Sequence, residues 1–362
     1  MLHINNNIRN NGRLKVLDGF RALCILAVIT FHYFVRYTSE YSWVNLYPYR
    51  SAYFHIYFFR FGYLGVHCFF IISGFVIFMT LERSSNIGQF AVKRFIRLWP
   101  TLLICSLITF AVLSFLPLPQ LPTAARFFFS TLTITQPRAW EKLFNLNSMN
   151  FIDGVEWSLV CELSFYIIAA SLYFINKKYF FRNWLIAISV LLSLHFSLQS
   201  LGLNLAESYL KYLLFPEYMV MFTIGIYFYL LYTAPKLNVL YHISTAILFG
   251  IQLFFIQNFK EDIFIVAFVL LFLLFIYKPV AVAFFSNKVI ARIGFISYTI
   301  YLLHSSIGIV LINRFSAAFK STSVFVTVVP TIIVVLAASV FIDRVVTAYV
   351  NPYLKKKLLS KA

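Results

Sequence analysis

A chain of 362 residues that is 61% hydrophobic, 20% aromatic and only 12% charged is not a soluble globular protein, for which about 25% charged residues is usual. The formal net charge of +18 invites a nucleic-acid reading. The basic residues, however, sit in short clusters between apolar runs, as topology signals and sites for anionic headgroups do. The expected fold class is all-α, a polytopic transmembrane helical bundle of about ten spans.

In chain order, no cleavable signal peptide is expected in the polar segment Met1–Lys15. Spans are predicted over 17–36, 61–80, 101–117, 157–175, 184–200, 209–231, 239–257, 263–277, 290–312 and 324–348. Segment 123–136, interrupted by Arg126 and followed by Pro137, reads as interfacial or re-entrant. The longest stretch between spans, 118–156, falls on the outer side. Residues 1–350 form the expected transmembrane domain and 351–362 a basic cytoplasmic tail. Ten spans place both termini on one side. With that side inside, the inner segments carry 19 Lys and Arg and the outer segments 10, so both termini are expected in the cytoplasm. Cys24, Cys68, Cys105 and Cys161 lie in or beside apolar runs without metal or CxxC spacing. No metal site is expected.

The first span carries Asp18, Arg21 and His32 where lipid tolerates none of them. Arg21 and His32, eleven residues apart, differ by roughly 20° around a helix and about 16 Å along it; Asp18 lies within about 40° of His32. Three ionisable groups on one face mark a site. The structural alternative is a snorkelling Arg21 and a His32 bonded to a neighbour.

The second span holds Gly62, Gly65, Ser73 and Gly74, small residues that let helices approach closely. Ser73 is also a candidate ligand contact. The stretch Phe90–Pro100, read as an inner loop, contains Arg94 and Arg97, which share a face if helical. Arginine forks suit phosphate; the alternative is a topology anchor beside Trp99. The fourth span opens Trp157-Ser158-Leu159-Val160-Cys161-Glu162. A carboxylate there must be paired, bonded or protonated. It is either a partner of an arginine or an orienting partner of His32. In the ninth span Ser297, Tyr301 and His304 form an i, i+4, i+7 stripe beside Tyr298, which either lines a substrate path or bonds between helices. His195 and His242 have no such company and read as structural.

Five of these stretches, in order, resemble the acyltransferase-3 family of integral membrane O-acyltransferases of the O-antigen acetylase type. They are Leu17–His32 with Arg-x10-His, Gly65–Phe75 with Phe-Phe-x-x-Ser-Gly-Phe, Arg94–Pro100 with Arg-x-x-Arg, Trp157–Tyr166, and Ile296–His304. The resemblance implies transfer of an acyl group, commonly acetyl from acetyl-CoA, to a hydroxyl of a cell-envelope glycan such as a lipopolysaccharide O-antigen or an exopolysaccharide. On that reading His32 is the general base and Glu162 orients it. Arg21, Arg94 and Arg97 hold the CoA phosphates, while Asp18, Ser73, Trp157, Tyr298, Tyr301 and His304 support the site. Acetyl-CoA is a co-substrate and no cofactor is held tightly. The expected partners are the acyl-CoA donor, a glycan acceptor that includes lipid-linked forms, and membrane lipids; no nucleic acid is expected. The expected location is the bacterial inner membrane. The chain departs from the pattern at Asp343-Arg344-Val345, where many members carry Glu-x-Pro, and at Ala22, where Gly is common. The C-terminal esterase-like domain of longer members is not expected. A transporter and a non-catalytic glycan-binding subunit are the competing classes. The missing internal repeat argues against the first, and intact Arg21, His32 and Glu162 argue against the second.

Overall fold

A computed structural model describes residues 14–42, 44–233, 238–256 and 258–359. Most of Met1–Lys15, with Arg9 and Arg13, lies outside the described residues, as do Lys236 and Lys361 of the charge count. The described residues form helices and no strand. Eight helices are long and apolar enough to cross a membrane, and two bent pairs raise the number to ten if each is one span. The chain is a polytopic helical bundle.

The helices are α1 (Lys15–Phe34), α2 (Gly65–Glu82), α3 (Ile87–Phe115), α4 (Trp157–Ile175) and α5 (Phe180–Ser200). Then come α6 (Asn204–Leu214), α7 (Pro216–Thr233), α8 (Val239–Ile256) and α9 (Phe259–Tyr277). The last are α10 (Lys288–Phe295), α11 (Ser297–Leu303), α12 (Ser306–Phe319), α13 (Val324–Val345) and α14 (Asn351–Leu358). Short helices Phe128–Thr133 and Pro137–Phe144 lie in the long stretch between α3 and α4. Asn351–Leu358 of the tail is helical, joined to α13 through the π-helical turn Val346–Val350.

Two features depart from the sequence expectation. Phe90–Pro100 is not a loop but lies within α3. Asn86 accepts a hydrogen bond from the Gln89 N–H at 2.8 Å, which starts the helix early, and Pro100 is carried inside it without ending it. The ninth span is not continuous: α11 and α12 meet at a 61° bend. The run His304-Ser305-Ser306 followed by Gly308 supplies the small and polar residues at which helices bend.

The chain divides into two compact units. The first gathers residues through Gly65, Val92–Trp157 and Phe285 onward; the second is Val66–Ala91 with Ser158–Phe284.

In the first unit α1 is the central helix. It packs against α10, α11 and the turn Gly62–Leu64. Its approach to α10 is set by Gly294, where a Cβ would sit 1.6 Å from the Asp18 carbonyl oxygen. Its C-terminal end leaves carbonyls without helical partners. The Tyr47 hydroxyl donates to the His32 carbonyl at 2.5 Å, and the Tyr49 hydroxyl donates to that of Tyr33.

In the second unit α7 packs against α5, α6, α8 and α9. Small residues also bring α2 onto α7: a Cβ at Gly225 would meet the Ile71 carbonyl oxygen at 2.0 Å. Aromatic packing fills the surroundings, with Phe165 stacked on Phe222 at 4.0 Å between ring centres.

Because backbone lies where a Gly294 side chain would go, Gly294→Ala should lower stability by about 1–3 kcal/mol. Gly250→Ala, with nothing within 4 Å of the added carbon, should hold or gain up to about 1 kcal/mol. Thermal unfolding of the two variants in detergent compares them directly.

Candidate active site

His32 lies in the last turn of α1, and the C-terminal end of α11 brings His304 to it. The His304 Nε2 stands 3.3 Å from the His32 Nδ1, with the rings 4.7 Å apart at 88°. His32 Nδ1 also faces the Val28 carbonyl oxygen at 3.0 Å, and His304 Nδ1 faces the Tyr301 carbonyl oxygen at 2.7 Å. His304 is fully buried, whereas His32 is partly open. His304 continues α11, with its N–H bonded to the Ile300 carbonyl oxygen at 2.9 Å, so the packing of α11 on α1 makes this contact.

The bend leaves backbone N–H groups without helical partners, and a buried carboxylate takes one of them. Asp153, 1% exposed, accepts from the Ser306 N–H at 2.9 Å. It also accepts from the Val155 N–H at 3.2 Å, capping the turn that leads into α4. Sequence reasoning missed Asp153. Its signal was Asp153-x-x-Glu156 directly before an apolar run, a helix-start pattern. Glu156 is buried too and accepts from the Thr131 hydroxyl at 2.5 Å. Just beyond α1, burial and then the Asp153 carboxylate push the Tyr37 hydroxyl above its usual range, while Arg36 and a Ser305 hydrogen bond work the other way. Tyr37 therefore stays protonated at neutral pH.

The other residues of the expected site fall into separate groups. Arg21 pairs with Asp18 at 3.1 Å on the same helix; Asp18 is buried and Arg21 is partly open. Arg94 and Arg97 lie three apart on α3, the first half-buried and the second exposed. Tyr298 donates to the Leu98 carbonyl of α3 at 3.2 Å. The Tyr301 hydroxyl donates to the Val155 carbonyl at 2.9 Å, which ties α11 to the turn that Asp153 caps. Ser297 is buried on α11, and Trp157 is half-buried at the start of α4. Hydrogen bonding between elements is thus what Tyr298 and Tyr301 do. His195 faces Glu207 at 3.7 Å, and His242 bonds Tyr227.

Glu162 belongs to the second unit. Its Oε1 accepts from the Ser73 hydroxyl and from the Tyr166 hydroxyl, each at 2.5 Å. Two of the predicted site residues, Ser73 and Glu162, thereby meet across 89 residues of sequence. Of the expected alternatives, paired, bonded or protonated, the carboxylate is bonded, to two hydroxyls. Among the described residues no group of three or more His, Cys, Asp or Glu side chains is placed to hold a metal ion.

Glu162→Gln retains an oxygen for the Ser73 and Tyr166 hydroxyls and should keep the stability of the parent chain. Glu162→Leu leaves both without it and should cost about 1–3 kcal/mol for the buried Tyr166 hydroxyl. Thermal unfolding in detergent separates the two.

Residues 14–344 match the family model Acyl_transf_3, described as an acyltransferase domain. Nodulation protein 10 of Rhizobium leguminosarum bv. viciae is 30% identical over 120 residues, which cover 28% of this chain and 31% of that protein. The match thus spans less than a third of that relative's length. No solved structure gives a significant match. With all but the chain's ends covered by the family model, the chain belongs to the acyltransferase-3 family.

Proposed function

We propose that this chain transfers an acyl group, acetyl in the first instance, from acyl-CoA to a hydroxyl of a cell-envelope glycan such as an O-antigen or exopolysaccharide. The observation that carries the reading is the His32 imidazole, partly open on α1 and held by His304 within a chain of acyltransferase family. A sugar hydroxyl is a poor nucleophile at neutral pH, and an imidazole is suited to take its proton. His32 accepts that proton as the oxygen attacks the thioester carbon. The C–O ester bond forms, the C–S bond breaks, and the proton passes to the departing CoA thiolate.

Arg21, Arg94 and Arg97 are the proposed contacts of the CoA phosphates, with Asp18 fixing Arg21. Arginine offers planar, charge-assisted contacts to phosphate. Glu162 is proposed to contribute to turnover while held by Ser73 and Tyr166, and Trp157 to support that stretch. We place the chain in the bacterial inner membrane with both termini in the cytoplasm, supported by the 19-to-10 asymmetry of Lys and Arg. The donor is then cytoplasmic.

His32→Ala should insert and fold but lose transfer from acetyl-CoA by about 10²–10⁴-fold. Consumption of acetyl-CoA by the purified full chain with envelope glycan measures it, and near-normal turnover refutes the role of His32. Acetyl-CoA untouched by the wild-type chain under any acceptor tried would favour the transporter reading.

Arg94→Ala and Arg97→Ala should each raise KM for acetyl-CoA, with a loss of about 1.5–3 kcal/mol of donor binding. Lys at either position should restore only part of it. An unchanged KM in both Ala variants would leave them as topology anchors. Glu162→Gln should lower turnover. If Glu162 and His32 serve one step, the double variant should lose little more than His32→Ala alone.

A further inference from the structure

We propose that His304, backed by Asp153, is a positioning pair that holds His32 with its proton on Nδ1 and its Nε2 lone pair free for the reacting hydroxyl. The proposal rests on the reading of His32 as the base for acyl transfer and names the residues that prepare it.

A carbonyl oxygen only accepts, so the His304 Nδ1, 2.7 Å from the Tyr301 carbonyl oxygen, carries the proton of the neutral ring. Its Nε2 is then a lone pair, and it is aimed at His32 Nδ1 at 3.3 Å. The same His32 nitrogen lies 3.0 Å from the Val28 carbonyl oxygen. Two acceptors converge on one atom, and only an N–H satisfies them. Neutral His32 therefore carries its proton on Nδ1, which leaves Nε2 as the base. The hydrogen bond of one ring nitrogen sets the state of the other.

Asp153 supplies the charge. It accepts hydrogen bonds from the Ser306 and Val155 backbone N–H groups. The bond from the Ser306 N–H places this carboxylate two residues along the chain from His304. Among the described residues Arg36, from the segment that follows α1, is a further charged group near His32. When Nε2 takes the substrate proton, His32 becomes an imidazolium. A negative charge behind its hydrogen-bond partner favours that state at low local dielectric. Asp153 also fixes where His304 stands, because it caps α12 just past the bend.

Two measurements on the full chain in lipid nanodiscs test this. The first reads the tautomer and needs no activity. In ¹⁵N-histidine spectra, with the His32 signals assigned by their loss in His32→Gln, the wild-type chain should show Nδ1 protonated and Nε2 not. A neutral His32 protonated on Nε2 overturns the proposal even if the chain transfers acetyl groups at full rate.

The second is kinetic, with acetyl-CoA as donor. His304→Leu keeps volume but removes the acceptor, and should lower kcat by about 10- to 10³-fold with KM for acetyl-CoA unchanged. His304→Gln offers an amide oxygen toward Nδ1 and should recover part of the loss. Asp153→Asn keeps an oxygen for the caps but removes the charge, and should lower kcat about tenfold without loss of thermal stability. A wild-type kcat in Asp153→Asn would reduce Asp153 to a helix cap and overturn its part. Equal losses in His304→Gln and His304→Leu would do the same for His304. If the wild-type chain proved to have no transferase activity, the acyl-transfer reading would fall, and the tautomer would still decide the placement of the proton.

Discussion

The need to satisfy ionisable side chains on an apolar helix governs the first unit. Alpha-helix α1 brings Asp18, Arg21 and His32 into a setting where each unpaired group costs several kcal/mol. Asp18 and Arg21 satisfy each other. His32 cannot be satisfied by its own helix beyond the Val28 carbonyl, so a second element has to deliver a partner. That element is the chain from Lys288 to Phe319, pressed onto α1 at Gly294 and bent beyond His304. The bend creates a new debt of free backbone N–H groups, and the buried Asp153 meets part of it. Close packing, helix break, cap and histidine pair are thus linked consequences of polar groups in an apolar helix.

The architecture was readable in the sequence where it depends on composition. Apolar run length gave a helical bundle with about ten spans, and the small residues of the second span marked close packing of α2 onto α7. Arg-x10-His placed its two ends on one face of α1 because helical periodicity is local. What depends on interrupted periodicity was harder to read. The Arg94–Arg97 stretch looked like a loop because basic residues and Pro100 interrupt its apolar pattern, yet Asn86 starts a helix well before it. The ninth span looked continuous because Ser305 and Ser306 are weak breakers alone, and they act only together with the carboxylate that caps the bend.

Contacts across long separations were legible only as candidates. Ser73 and Glu162 were each visible as polar residues in apolar spans, but no pattern links residues 89 apart. His304 was visible as the end of a stripe, and its place beside His32 was not, because that depends on the packing of α11 against α1, 272 residues away in sequence. Asp153 was hidden for another reason. Acidic residues in a stretch between spans are ordinary, and only burial and its two backbone partners distinguish this one.

Acyl transfer through His32 is most directly tested on the glycan itself. Mass spectrometry of envelope glycans from cells lacking this protein, supplied with either the wild-type chain or His32→Ala at equal membrane abundance, reads the ester product. Esters present with the wild-type chain and absent with His32→Ala are the expected result. Equal ester content with both chains would contradict it.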